Sequence, residues 1–286
     1  MTTDAPAPDA PAPDAPAPAT ADAPAGDALL AVRGLRVVFD GFVAIDGIDF
    51  TVNRGELRFL IGPNGAGKTT LVDVITGLTK PASGSVTFAG TELVGQREHR
   101  IVRLGIGRTF QTATVFEELT VLENIDLAAS FRLPVPALFR RRKGVGDRVA
   151  QVLETTQLAE LASRKAGILS HGQRQWLEIG MLLAQDPRLL LLDEPVAGMT
   201  KDERERTGQL LQQIAKEHTV VVIEHDMEFL RRFARLVTVL HEGKVLMEGT
   251  VAEVQADRRV QEVYLGRASE EAGGPVAAAA ELEAAP

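Results

Sequence analysis

The sequence predicts an α/β fold on three observations. Strand-like and helix-like segments alternate through most of its 286 residues. A glycine-rich loop, GPNGAGKT at 62–69, sits between an apolar strand segment and a helical one. A run of four leucines, Leu189–Leu192, has the unbroken apolar character of a strand buried on both faces of a parallel sheet.

The elements follow in order. LLAVRGLRVVF at 29–39 and IDGIDFTV at 45–52 read as strands, and ELRFLI at 56–61 as a strand entering the glycine loop. Residues 67–78 read as a helix and 84–89 as a strand. Residues 120–131 and 147–163 have helical spacing without strand character, so a helical subdomain is expected over about 115–185. The helix after LSHGQRQ (169–175) sets Trp176, Ile179, Gly180 and Leu183 on one face. Helix 201–216, strand 219–224, helix 226–233 and strand 235–241 continue the alternation.

Composition bounds the rest. Apolar residues make up 45%, which suits a packed core, and the absence of cysteine excludes disulfides and Cys-ligated metals. The net charge of −8 lies in the ends: residues 1–28 hold five Asp and no base, and 269–286 four Glu and no base. The middle carries about +1, so no broad basic surface marks a nucleic-acid partner. Residues 1–28, an Ala/Pro/Asp repeat, have little to bury and are expected to be disordered, locally polyproline II. Residues 267–286 are expected to form a flexible tail, leaving 29–266 as the folded domain. No apolar run reaches the roughly 20 residues that span a bilayer. RRRK at 140–143 raises the question of lipid headgroups, although a solvated basic loop explains it as well.

The glycine loop matches G-x-x-x-x-G-K-[ST] in the strand–loop–helix setting that gives it meaning. Gly62, Pro63, Asn64, Gly65, Ala66 and Gly67 form a tight turn whose N–H groups, with the helix start at Thr69 and Thr70, face an anion. Lys68 can reach the β- and γ-phosphates of a nucleotide, and the Thr69 hydroxyl can ligate Mg²⁺. Asp193 ends the leucine strand on the side where ligands of open α/β sheets bind, and suits the Mg²⁺ shell. Glu194, one residue on, can polarise an attacking water.

These residues resemble the ATP-binding subunits of ABC transporters over about 29–266. GPNGAGKT resembles the Walker A motif and LLLLDE Walker B with its catalytic glutamate. LSHGQ is similar to the signature motif, which implies that Ser170, Gly172 and Gln173 meet nucleotide. Gln111 in GRTFQ resembles the Q-loop glutamine, implying Mg²⁺ ligation and γ-phosphate sensing, and His225 in VVIEHD the switch histidine. Phe39 stands where the family places an adenine-stacking aromatic, with Phe42 its competitor across the same turn.

The resemblance implies a P-loop NTPase cassette with a mixed-sheet nucleotide core, an antiparallel β subdomain and a helical signature subdomain. It implies ATP and Mg²⁺ as cofactors and head-to-tail pairing with a second ATP-binding subunit, alike or different. It also implies transmembrane permease subunits, an extracytoplasmic substrate-binding protein acting indirectly, and a peripheral place on the cytoplasmic face of the inner membrane. GRTFQTATVFEELTVLENI, the stretch from LSHGQ to VAGMT and VVIEHDMEFLRR resemble the urea-type members of the branched-chain amino acid group. The expected cargo is therefore urea or a short amide, with branched-chain amino acids the alternative. A soluble, non-transport ABC ATPase is disfavoured by the single cassette and the lack of heptads. A non-hydrolysing scaffold is disfavoured by Glu194 and His225. In LSHGQ, His171 replaces a second glycine, and its side chain is expected to point toward the partner cassette or solvent.

Overall fold

The structure, a computed structural model, describes residues 27–109, 115–132 and 146–271. The basic run at 140–143 and Gln111 lie outside the described residues.

Among the described residues, ten strands form two sheets. The smaller has the order β2-β1-β4-β5 and is antiparallel throughout, built from β1 (Ala28–Phe39), β2 (Phe42–Asn53), β4 (Ser83–Phe88) and β5 (Thr91–Glu92). The larger has the order β10-β9-β3-β8-β7-β6. Its strands are β3 (Leu57–Ile61), β6 (Ile106–Arg108), β7 (Leu189–Asp193), β8 (Thr219–Ile223), β9 (Leu236–His241) and β10 (Lys244–Gly249). All its pairings are parallel except β10 on β9, so the sheet is mixed. The helices are α1 (Lys68–Ile75), α2 (Glu98–Leu104), α3 (Val121–Ala129), α4 (Asp147–Thr155), α5 (His171–Ala184), α6 (Lys201–Ile214), α7 (Met227–Phe233), α8 (Val251–Ala256) and α9 (Arg258–Glu271). The architecture is the one the resemblance implies: an α/β core with a mixed sheet, an antiparallel sheet beside it, and helices inserted between β6 and β7.

The leucine run shows why the core strands are apolar without alternation. Leu190 and Leu192 enter a core cluster with Trp176, Leu177 and Ile125 of the inserted helices. Leu189 and Leu191 enter a second cluster with Leu71 of α1 and Val37 and Ile45 of the antiparallel sheet. Successive side chains point to opposite faces, and both faces are covered. Val220 and Val222 of β8 join the first cluster, while Val221 and Ile223 join the second.

Most predicted elements stand within one to three residues of their expected ends. The segment 147–163 is the exception: α4 stops at Thr155, and only a 3₁₀ turn at Ala159–Leu161 follows. Gln157 takes φ 57°, and Leu158 N–H returns to the Leu153 carbonyl at 2.9 Å, which closes the helix.

The signature helix α5 is fixed to α6 through Trp176, whose indole N–H donates to Thr207 Oγ1 at 2.9 Å inside the core. Trp176→Phe removes that bond and leaves a void beside a fully buried hydroxyl. We expect a loss of about 1–3 kcal/mol in stability, read from thermal or urea unfolding. An unchanged midpoint would show that the indole is not holding the two helices.

Candidate active site

Parallel pairing brings three segments to one edge. Leu60 of β3 and Asp193 of β7 both pair with Ile223 of β8. The residues that follow those three therefore emerge side by side: the glycine loop after β3, Glu194 after β7, and Glu224–His225 after β8. Residues more than 100 positions apart in sequence become neighbours because the β-strands share register.

The loop is shaped by close approach. Gly62 has φ 150°, and a Cβ there would stand 2.2 Å from the Leu240 carbonyl oxygen, so only glycine fits. Gly67 caps α1, and Lys68 begins it. Lys68 Nζ donates to the carbonyls of Gly62 at 2.7 Å and Pro63 at 3.0 Å, arching back over the loop. Pro63, Asn64, Gly65 and Ala66 also line a cleft of about 660 Å³ whose other wall includes Arg259 and Glu262 of α9. Thr69 is exposed and Thr70 half-buried at the start of α1.

Asp193 is buried, and its backbone N–H donates to Thr109 Oγ1 at 3.1 Å. Its Oδ2 makes no hydrogen bond among the described residues, and Arg108 stands 3.6 Å away. The Arg108 guanidinium also pairs with Asp73 of α1, so it bridges the loop helix and the leucine strand. Burial pushes the Asp193 carboxyl above its usual range. Arg108 opposes that rise, Glu194 adds to it, and Lys68 lowers it. A buried carboxylate oxygen without a hydrogen-bond donor suits a hard cation. Mg²⁺ therefore fits the residues present.

Glu194 takes φ 49°, a left-handed conformation uncommon for a side chain of its size, and its N–H donates to the Ile223 carbonyl at 2.9 Å. That turn separates two consecutive acids. Asp193 stays under the sheet edge, whereas Glu194 is one-third exposed and its Oε1 lies 3.5 Å from His225 Nδ1. The pair faces solvent at the edge where the glycine loop opens.

Glu224 was not singled out from sequence, where it reads as the end of a strand. It is 1% exposed. Its carboxylate accepts from the N–H of Val196 at 3.3 Å, of His225 at 3.1 Å and of Asp226 at 3.4 Å. Burial raises its pKa, and those three donors, with His225, work against the rise.

The LSHGQ turn is a capping box. Ser170 is the N-cap of α5, its Oγ accepts from Gln173 N–H at 3.2 Å, and the Gln173 side chain accepts from Ser170 N–H at 3.0 Å. Ser170 Oγ also donates to Glu203 Oε1 at 3.2 Å. The His171 ring is exposed to solvent, and its Nε2 is also 3.0 Å from the carbonyl oxygen of Ala197 in the same chain. The loop after the leucine strand passes close enough to offer that acceptor. Gly172 is buried, and a Cβ there would meet Glu203 Oε1 at 2.5 Å.

Phe39 and Phe42 are cross-strand partners flanking the Asp40–Gly41 turn, 46% and 67% exposed. Both remain open to a stacking ligand.

A nucleotide loop, a buried acid, an exposed acid–histidine pair and a capped signature turn on one α/β scaffold define an ATPase cassette. The ABC transporter family model matches residues 45–197, over half of the chain, and the chain belongs to that family. A second model, the branched-chain amino acid ATP-binding cassette transporter, matches residues 244–270. The high-affinity branched-chain amino acid transport ATP-binding protein BraF of Pseudomonas aeruginosa is 36% identical over 251 residues, 84% of this chain and 98% of its own. The chain is thus an ATP-binding subunit of the branched-chain amino acid transport group, and an ATPase.

Among solved structures, the ADP conformation of MJ1267, an ATP-binding cassette of an ABC transporter, aligns with a TM-score of 0.73 at 32% identity. It covers 84% of this chain and 99% of that one. The dimeric post-hydrolysis cassette MJ0796, bound to ADP and Pi, aligns with a TM-score of 0.64 at 25% identity, covering 78% of this chain and 98% of that one.

Proposed function

We propose that this chain powers an importer of branched-chain amino acids. It would sit on the cytoplasmic face of the plasma membrane against separate permease subunits, with an extracytoplasmic binding protein delivering cargo. The observation that carries the cargo is the match of residues 244–270 to the branched-chain model, supported by the likeness to BraF along nearly all of that protein. This replaces urea or a short amide as the leading cargo, because the comparisons point to the group without singling out its urea-type members. Among the described residues no helix is long and apolar enough to cross a membrane, which agrees with a subunit that needs separate permeases.

The proposed roles rest on the resemblance of the motifs and, for the described residues, are supported by the geometry. The N–H groups of residues 62–70 and the Lys68 ammonium meet the ATP phosphates, and Phe39 or Phe42 stacks on adenine. Thr69, Asp193 and Gln111 would hold Mg²⁺, which neutralises phosphate charge when bound. Glu194 accepts the proton of the attacking water, and His225, 3.5 Å from it, holds that carboxylate and the γ-phosphate in line. Ser170, Gly172 and Gln173 present the start of α5 to the ATP of a second, opposed cassette. The dimeric arrangement of MJ0796 supports such a pairing.

The test is reconstitution with the permease and binding protein, measuring ATPase stimulation by cargo. Leucine, isoleucine or valine with binding protein should raise turnover several-fold. Stimulation by urea or short amides, with none by these amino acids, would overturn the cargo and restore the urea-type reading.

A further inference from the structure

We propose that Glu224 is a positioning residue that fastens the switch histidine to the loop carrying Glu194, so that the signature turn and the hydrolytic pair of one chain move as a unit. The proposal rests on the ATPase site described above and adds a residue that reaches it through the backbone.

The two Glu224 oxygens serve two segments. One accepts from Val196, two residues beyond Glu194; the other accepts from His225 and Asp226. Those segments leave neighbouring strands, and nearer the surface the Glu194–His225 pair and Arg204, which donates to the Met199 carbonyl at 3.2 Å and to Asp226 Oδ2 at 2.7 Å, also span them; Glu224 is the buried link. A buried carboxylate with acceptor sites on both oxygens can hold both. The tether continues outward. Ala197, the residue after Val196, accepts from or faces His171 Nε2 at 3.0 Å, and His171 opens the signature helix. A continuous set of contacts therefore runs from His225 through Glu224 and the 195–199 loop to the signature turn. In a head-to-tail dimer those two ends face different ATP molecules. Displacing the signature turn would then shift the Glu194–His225 geometry in the same chain.

Glu224→Gln separates this role from simple packing. The amide is nearly isosteric but has one acceptor oxygen. Its NH₂ would face a backbone N–H, a donor against a donor, and release one of the two segments. We expect kcat to fall at least tenfold while the Kd for ATP stays within threefold. Amide hydrogen exchange should rise at Val196 or at His225 and Asp226, with the β7 and β8 core amides unchanged. If Glu224→Gln does not yield folded protein, Glu224→Asp keeps the charge but is too short to reach both loops, and the same readings apply.

Unchanged exchange at all three amides, or kcat within twofold of the parent, would overturn the proposal. So would increased exchange throughout β7 and β8, which would make Glu224 an ordinary core residue. Parent protein that binds ATP without hydrolysing it would instead fail the ATPase reading. The exchange measurement would still decide the role of Glu224.

Discussion

Glu194→Gln is expected to bind ATP as the parent does and to hydrolyse it about 10²–10⁴-fold more slowly. The two properties are proposed to lie in different segments. Binding is proposed for the loop at 62–69, where Lys68 donates to the Gly62 and Pro63 carbonyls. Glu194 follows β7, on the other side of β8 from β3, and stands 3.5 Å from His225. Glutamine keeps the length and shape of the side chain, and the left-handed backbone at φ 49° is held by the Glu194 N–H bond to Ile223, which the substitution leaves alone. What disappears is the charge proposed to accept a proton. The loss corresponds to about 3–5 kcal/mol of transition-state stabilisation. Single-turnover hydrolysis and size-exclusion chromatography with ATP are the measurements: turnover should collapse while an ATP-bound dimer accumulates. Hydrolysis at the parent rate would remove Glu194 from the role of base and direct attention to His225.

How much of this was legible in the sequence depended on the range of the interaction. The leucine strand was legible because burial on both faces leaves a contiguous apolar signal, and the glycine loop because its spacing is local. The capping box at Ser170–Gln173 lies within four residues and was equally open to reading as a helix start. Other features had no such signal. β6 is three residues long, too short for any period, yet it carries Arg108 and Thr109 to Asp193. The end of α4 is made by Gln157 in a left-handed conformation usually given to glycine, so the apolar spacing ran on past it. β10 and the helices after it cover the edge of the sheet with half-buried residues, whose pattern is weak. Glu224 could not be distinguished from a strand-end acid, since its partner Val196 is 28 residues away and arrives only through the β7–β8 register.

The signature turn joins both kinds of information. Its sequence has histidine where a glycine is usual, and the structure gives the two positions different surroundings. His171 is the first residue of α5. There the helix needs only a backbone N–H, which any residue except proline supplies. Its side chain adds one exposed hydrogen bond to the Ala197 carbonyl. Losing a bond of that kind costs about 0.5–1.5 kcal/mol, roughly tenfold in rate at most. His171→Gly should therefore change ATPase activity less than tenfold. Gly172 has less latitude. It is buried, and a Cβ would stand 2.5 Å from Glu203 Oε1, so the Glu203 side chain, whose Oε1 accepts from Ser170 Oγ, would have to shift. Hydrogen bonds from the Thr200 backbone, with those from the Thr200 and Ser170 hydroxyls, hold the Glu203 carboxyl below its usual range. Gly172→Asp would set a second carboxylate against that charge, displace Ser170 and turn negative charge toward an opposed phosphate. The expected loss is at least a hundredfold, about 3 kcal/mol or more. Both variants should be assayed in the assembled transporter, with unfolding midpoints recorded to separate a misplaced turn from a misfolded chain. Equal damage from His171→Gly and Gly172→Asp would mean that the imidazole acts in the site directly, and that the glycine is not where the turn meets its limit.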